Sequence, residues 1–153
     1  MAIKDAFKKL THGVYVISTR YGDKINAMTA AWVAQASFRP PLVVIAIGKT
    51  RYSHDLIKEG GVFAINILGR EGIPTGRHFG LTTGRKTDKF AHVSYDTKVT
   101  GCPILKDAIA YLDCRVVSHH DAGDHTLFIG EVLDGAVLKD EGPLVYQRKD
   151  FFG

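Results

Sequence analysis

The chain has 153 residues, of which 45% are hydrophobic and 24% charged, enough for one domain with a core of its own. Its longest apolar stretch, residues 40–48, falls far short of the roughly 20 residues a membrane-spanning helix needs, which excludes a helical membrane protein. The net charge of +4, with a pI near 9.1, is scattered among 16 acidic residues, a mild excess that suits anionic small molecules as well as nucleic acid.

The first residues are charged throughout and lack the apolar centre of a signal peptide, so a cytoplasmic product is expected. A short helix is predicted over 3–10, where Ala6, Phe7 and Leu10 make one apolar face. A strand over 14–19 follows, then a hairpin turn at 21–24 and a long returning strand of low bulk over 25–37, stopped by Pro40 and Pro41. Residues 42–47 and 62–68 are near-continuous apolar runs, expected as strands buried on both faces or in a closed barrel. Between them a helix over 53–58 should stop at Gly60 and Gly61. Periodicity then vanishes from 69 to 89, a glycine-rich loop long enough to be functional or disordered. Strands resume over 110–118 and 126–138, joined by a polar turn at 119–124, and a last strand is predicted over 143–147. Many strands and few helices favour a mainly β barrel, because closure removes exposed edges. Cys102 and Cys114 match neither a disulfide framework nor a zinc site and are expected as two buried thiols.

Three groups of residues carry candidate chemistry. Lys49, Thr50, Arg51, Tyr52 and Ser53 precede a helix start, where free N–H groups and the helix dipole favour a phosphate; a plain N-cap with solvated charges fits the same pattern. The loop adds Arg70, Arg77, Arg85, Lys86 and Lys89, which suit either closure over a phosphate or a solvated surface. His119, His120, Asp121, Asp124 and His125 invite a metal, but one turn cannot aim them all at one ion, since strand neighbours point to opposite faces. No metal is expected; one histidine presented at the mouth of a site fits better. Trp32, the only tryptophan, is expected in core or dimer packing.

Taken in order, five stretches resemble the flavin reductase-like family of FMN-binding split barrels. They are Asn26-Ala-Met-Thr-Ala-Ala-Trp-Val-Ala-Gln-Ala-Ser-Phe-Arg-Pro-Pro-Leu-Val, Lys49-Thr-Arg-Tyr-Ser-His, Phe63-Ala-Ile-Asn-Ile-Leu, Gly123-Asp-His-Thr-Leu-Phe-Ile-Gly-Glu-Val and Pro143-Leu-Val-Tyr. The resemblance runs from about Phe7 to Tyr146 and implies a single flavin reductase-like domain over 1–153. The implied fold is a mainly β, Greek-key-type FMN-binding split β-barrel with a few short helices, assembled as a homodimer. The implied activity is transfer of hydride from NADH or NADPH to FMN, with FAD possible, and onward to a monooxygenase, ferric iron or a redox protein.

By the same resemblance, Met28, Thr29, Ala30, Ala31 and Trp32 lie against the flavin ring, and Gln35, Ala36 and Ser37 touch its chain or phosphate. Lys49, Thr50, Ser53 and His54 form the phosphate side, with Arg85 and Lys89 closing over the flavin tail. His125 takes the position tied to nicotinamide binding and hydride transfer, and Tyr146 approaches that pocket. His54 beside Ser53 and the double His119-His120 depart from the common pattern. Two other functions stay open: a bound-FMN electron carrier, and a nucleic-acid-binding barrel, against which stands the lack of a basic stripe interleaved with aromatics.

Overall fold

The computed structural model describes residues 2–152. It opens with helix α1 (Ala2–Phe7) and the hairpin of β1 (Tyr15–Tyr21) and β2 (Lys24–Ala30). Then come β3 (Val33–Ser37), β4 (Leu42–Gly48), α2 (Tyr52–Gly60), β5 (Val62–Ile67) and α3 (Ile73–Gly80). The chain ends with the short pair β6 (Tyr95–Asp96) and β7 (Ile104–Leu105), the long hairpin β8 (Ala110–Ala122) and β9 (His125–Val137), and α4 (Arg148–Phe152).

Seven strands form one antiparallel sheet in the order β2-β1-β5-β8-β9-β4-β3. Its two edges, β2 and β3, are joined by Ala31 and Trp32 alone. Three Cα–Cα steps reach at most about 11 Å, whereas the edges of a flat seven-stranded sheet lie about 29 Å apart. The sheet must therefore curl until its edges nearly meet, which makes it a split barrel. The Ala46 N–H donates to the Trp32 carbonyl at 3.0 Å and ties that link to β4.

Burial alternates along the strands as closure requires. On β1, Ile17 joins an inner cluster with Met28, Ile45, Ile47, Phe63, Ile65 and Phe128. Its neighbour Val16 turns outward to Ala27, Leu68, Phe79, Phe90, Leu144 and Phe151, beneath α3 and α4. Helix α2 adds Ile57 to the inner cluster and ends at Gly61, whose φ of +72° lets its N–H reach the Ile57 carbonyl at 2.8 Å.

Four expectations are corrected. The strand predicted over 25–37 is two strands, because the chain crosses between the barrel's edges at Ala31 and Trp32. The stretch 69–89 contains α3, whose start is set by Pro74 in its first turn and whose Phe79 is buried beneath it. The turn predicted at 119–124 shrinks to Gly123 and Asp124, since the β8–β9 ladder runs on to the pair Ala122 and His125 and Gly123 supplies φ +65°. Residues 143–147 contribute only the isolated bridges Gly69–Pro143 and Gly13–Val145, and α4 follows them.

Candidate functional site

A cavity of about 390 Å³ opens between the β2 edge, the start of α2 and the segment after α3. Asn26 and Met28 come from β2, Thr50 to Ser53 from the approach to α2, and Gly80 to Arg85 with Lys89 from the glycine-rich stretch. Helix α2 has no side-chain cap; instead Asn26 donates its amide to Ser53 Oγ at 2.9 Å, fastening the helix start to β2. Gly80 packs so close to Thr29 that an added Cβ would lie 3.2 Å from the threonine Cβ, which brings the following residues down onto the cavity.

The electrostatics of this cavity are one-sided. Arg51, Arg85 and Lys89 line it together with the hydroxyls of Thr50, Tyr52, Ser53, Thr82 and Thr83, and among the described residues no carboxylate does. Lys89 is buried and donates from Nζ to the carbonyls of Ala27 and Phe79, both at 2.9 Å. Burial, and secondarily the charge of Arg51, push its pKa down to about 8. Burial also lowers the pKa of Arg51. Arg85 lies over the Tyr52 ring at 5.3 Å and donates to the Thr50 carbonyl at 3.2 Å. Concentrated, partly desolvated cations without a counter-charge are what a phosphate would neutralise.

A second feature adjoins this one. The ring of His125 lies 4.7 Å from that of Trp32, and its Nδ1–H donates to Asp124 at 2.6 Å, a bond that holds the Asp124 carboxyl below its usual range. His125 pairs with Gly48, where an added Cβ would sit 3.4 Å from Arg51 and 3.9 Å from His125 Nε2. Gly48 therefore links the histidine to the cation that lines the cavity.

The predicted site residues fall into separate places. Met28, Thr50, Ser53, Arg85 and Lys89 share the cavity. His125 and Trp32 stand together at its edge; Trp32 is 52% exposed and so does not belong to the core. Thr29 donates to the Gly76 carbonyl at 2.6 Å, while Ala30 packs on the inner cluster and Ala31 sits in the link between barrel edges. Gln35 and Ser37 line a second, apolar cavity of about 330 Å³ with Tyr15, Val33, Leu42 and Leu112, and Ala36 is exposed on the same strand. Lys49 pairs with Asp121 at 3.3 Å, His54 turns inward to Thr126, and Tyr146 stacks on Phe151; none of these three lines either cavity. His119 and His120 are exposed on β8, and among the described residues no three His, Cys, Asp or Glu side chains converge as a metal site.

Asn26, Thr82 and Thr83 enter the site without having been singled out as binding residues, and Arg51 and Tyr52 enter it from the candidate phosphate cluster although the family resemblance assigned them no role. Arg51 and Tyr52 sat inside the cluster ahead of α2, and only the direction of the chain there decides that Arg51 rather than Lys49 faces the cavity.

Known proteins resemble this chain over almost its whole length. The chain is 38% identical over 144 residues to the high molecular weight rubredoxin of Moorella thermoacetica, covering 92% of this chain and 62% of that protein. It is 37% identical over 149 residues to diflavin flavoprotein A 1 of Synechocystis sp., covering 96% of this chain but 26% of that protein. The chain thus spans less than two thirds of the length of these relatives. Among solved structures, the NADH:FAD oxidoreductase SgcE6 of Streptomyces globisporus C-1027 superposes with a TM-score of 0.88 at 27% identity, over 95% of this chain and 87% of that one. The flavin reductase PheA2 gives a TM-score of 0.83 at 32% identity, over 95% and 91%. With the flavin reductase like domain matched over residues 7–153, the chain belongs to that family.

Proposed function

We propose that this chain is an NAD(P)H-dependent flavin reductase that holds FMN, with its phosphate in the cavity between α2 and the segment after α3. One observation carries this reading: Arg51, Arg85 and Lys89 are gathered with five hydroxyls in a cavity that no carboxylate lines among the described residues. A terminal phosphate dianion suits such a group, and FMN, which ends in one, fits more simply than FAD.

A bound flavin supplies the capacity to accept a hydride and pass its electrons on. The chain's own residues do the rest. Arg51, Lys89 and Ser53 hold the phosphate and so fix the cofactor's register. Trp32 and His125 form the edge at which a second planar ring would be received, and His125 Nε2, with no hydrogen-bond partner among the described residues, is available to orient a carboxamide. The anchoring of Nδ1–H on Asp124 sets that tautomer.

The apolar second cavity supports the homodimer, since its lining includes Val33, Leu42, Ile67 and Val132. Two free, buried cysteines suit a cytoplasmic setting. The likeness to a rubredoxin and to diflavin flavoproteins favours, as a second reading, a bound-FMN electron carrier served by a redox partner. The visible spectrum of the purified protein, followed anaerobically after NADH and then NADPH, with and without added FMN, separates the two. Bleaching of the flavin band by either nucleotide is expected for the reductase. A bound flavin untouched by both points to the carrier, and failure to bind or turn over any flavin overturns both.

A further inference from the structure

His54 does a different job from its neighbours on α2. Its buried ring packs edge-on against Phe128 at 5.5 Å, and Nε2 lies 2.7 Å from Oγ1 of Thr126. Nδ1 lies 3.1 Å from the carboxylate of Asp55, which accepts a hydrogen bond from Nδ1–H and leaves Nε2 to accept one from the Thr126 hydroxyl. Thr126 is itself buried and follows His125 directly in β9.

The contacts close a ring. His125 pairs with Gly48; the Gly48 carbonyl accepts from Arg51 N–H and the Arg51 carbonyl from His54 N–H, each at 3.1 Å. His54 then returns through Thr126 to His125. His125 needs such an anchor because it begins β9 at the tip of a long hairpin, where residues 119–124 are exposed and strand ends open easily. A bond from a buried side chain one residue along, made to a helix on another part of the barrel, holds that tip.

We propose that His54 is a positioning residue: bound to Thr126 from the first turn of α2, it sets the reach of His125 over Trp32 and joins the phosphate-side helix to the histidine of the nicotinamide edge. The proposal rests on the flavin-reductase reading for its kinetic consequence, though not for its geometry.

Four variants of the full chain test it: His54→Ala, Thr126→Val, their double, and Thr126→Ser, which keeps the hydroxyl. The rates are read from anaerobic rapid mixing of the FMN-loaded protein with NADH or NADPH, flavin affinity from titration, and the position of His125 from its imidazole ¹H–¹⁵N signals and the Trp32 indole signal. His54→Ala and Thr126→Val each slow flavin reduction by about tenfold at unchanged flavin affinity, the double is no slower than either, and Thr126→Ser stays within about twofold. The His125 and Trp32 signals move in the first three and not in Thr126→Ser. A rise in the flavin dissociation constant in His54→Ala but not in Thr126→Val would make His54 a phosphate ligand and overturn the proposal, as would unmoved rates and signals. If the unaltered protein is not reduced by either nucleotide, the reductase reading fails by itself and the His125 signals alone decide the positioning.

Discussion

Lys89 shows how one buried charge ties stability to ligand binding. Its two carbonyl partners hold the ammonium in place, yet burial and the nearby Arg51 lower its pKa to about 8 from an ordinary 10.5. Below pH 8 both folded and unfolded chains carry the proton and the cost of burying it is fully felt. Between 8 and 10.5 the unfolded chain binds more protons than the folded one, so stability rises with pH across that window. The melting temperature of the flavin-free protein is therefore expected to gain from pH 7.5 to 9.5 (about two pH units across the Lys89 titration) relative to a Lys89→Met variant, whose profile lacks this contribution. FMN affinity should fall across the same window while riboflavin affinity, with no phosphate to lose, stays flat. His125 makes the complementary case: His125→Ala is expected to slow reduction by NAD(P)H by roughly 10- to 100-fold with flavin affinity nearly unchanged, because it acts on orientation rather than on holding the cofactor. Stopped-flow reduction beside a flavin titration checks it, and a large loss of flavin binding with normal reduction by dithionite would remove that role.

Among the elements, α3 matters most for the cavity, because Gly80 to Gly84 leave it to form one wall. It is held from two sides. Thr29 donates to the Gly76 carbonyl from below, and Phe151 of α4 lies so near that a Cβ on Gly76 would meet its ring at 2.8 Å. Gly76→Val is expected to overpack this junction and cost about 1–3 kcal/mol, read as a lower denaturation midpoint. Because the same helix positions the wall, FMN affinity should drop with it, whereas an equally destabilising change in the inner cluster would leave affinity alone. The hairpin of β8 and β9 presents His125 in a parallel way: a two-residue turn led by Gly123 extends the ladder to its tip, so the histidine sits on a strand and not in a loose loop.

At the scale of the whole molecule, closure of the sheet leaves an apolar groove uncovered, lined by Tyr15, Val33, Leu42, Leu112 and their neighbours. A second copy covering it is the expected state. If the proposed dimer forms through this groove, Val33→Asp should leave a monomer in sedimentation equilibrium while the circular dichroism spectrum is kept; a dimer that persists in the variant would place the contact on another face. Cys114 in the inner cluster and Cys102 in a separate cluster with Ala64, Ile104 and Tyr111 are both buried, and their thiols are pushed up to about 12, chiefly by burial, so neither presents a reactive thiolate while the chain is folded.

How much was legible in the chain follows from which features are local. Apolar runs at 42–47 and 62–68, the hairpin turn at Gly22, and the helix stop at Gly61 depend on residues close in sequence, and each appears near its expected place. The ordered motifs also carried the family, which is matched over 7–153. Side-chain direction was not legible, because it depends on contacts across the barrel. Nothing near Lys49 tells that it turns to Asp121 while Arg51 turns to the cavity, and nothing near His54 tells that its partner is Thr126, 72 residues away. The sequence by itself determined the strands over 42–47 and 62–68, the hairpin turn at Gly22, the helix stop at Gly61, the supply of cations and hydroxyls, and the family. Only the tertiary structure decided which of them converge, because a two-residue link closes the sheet and that closure sets which side chains face the cavity, the core or a neighbour.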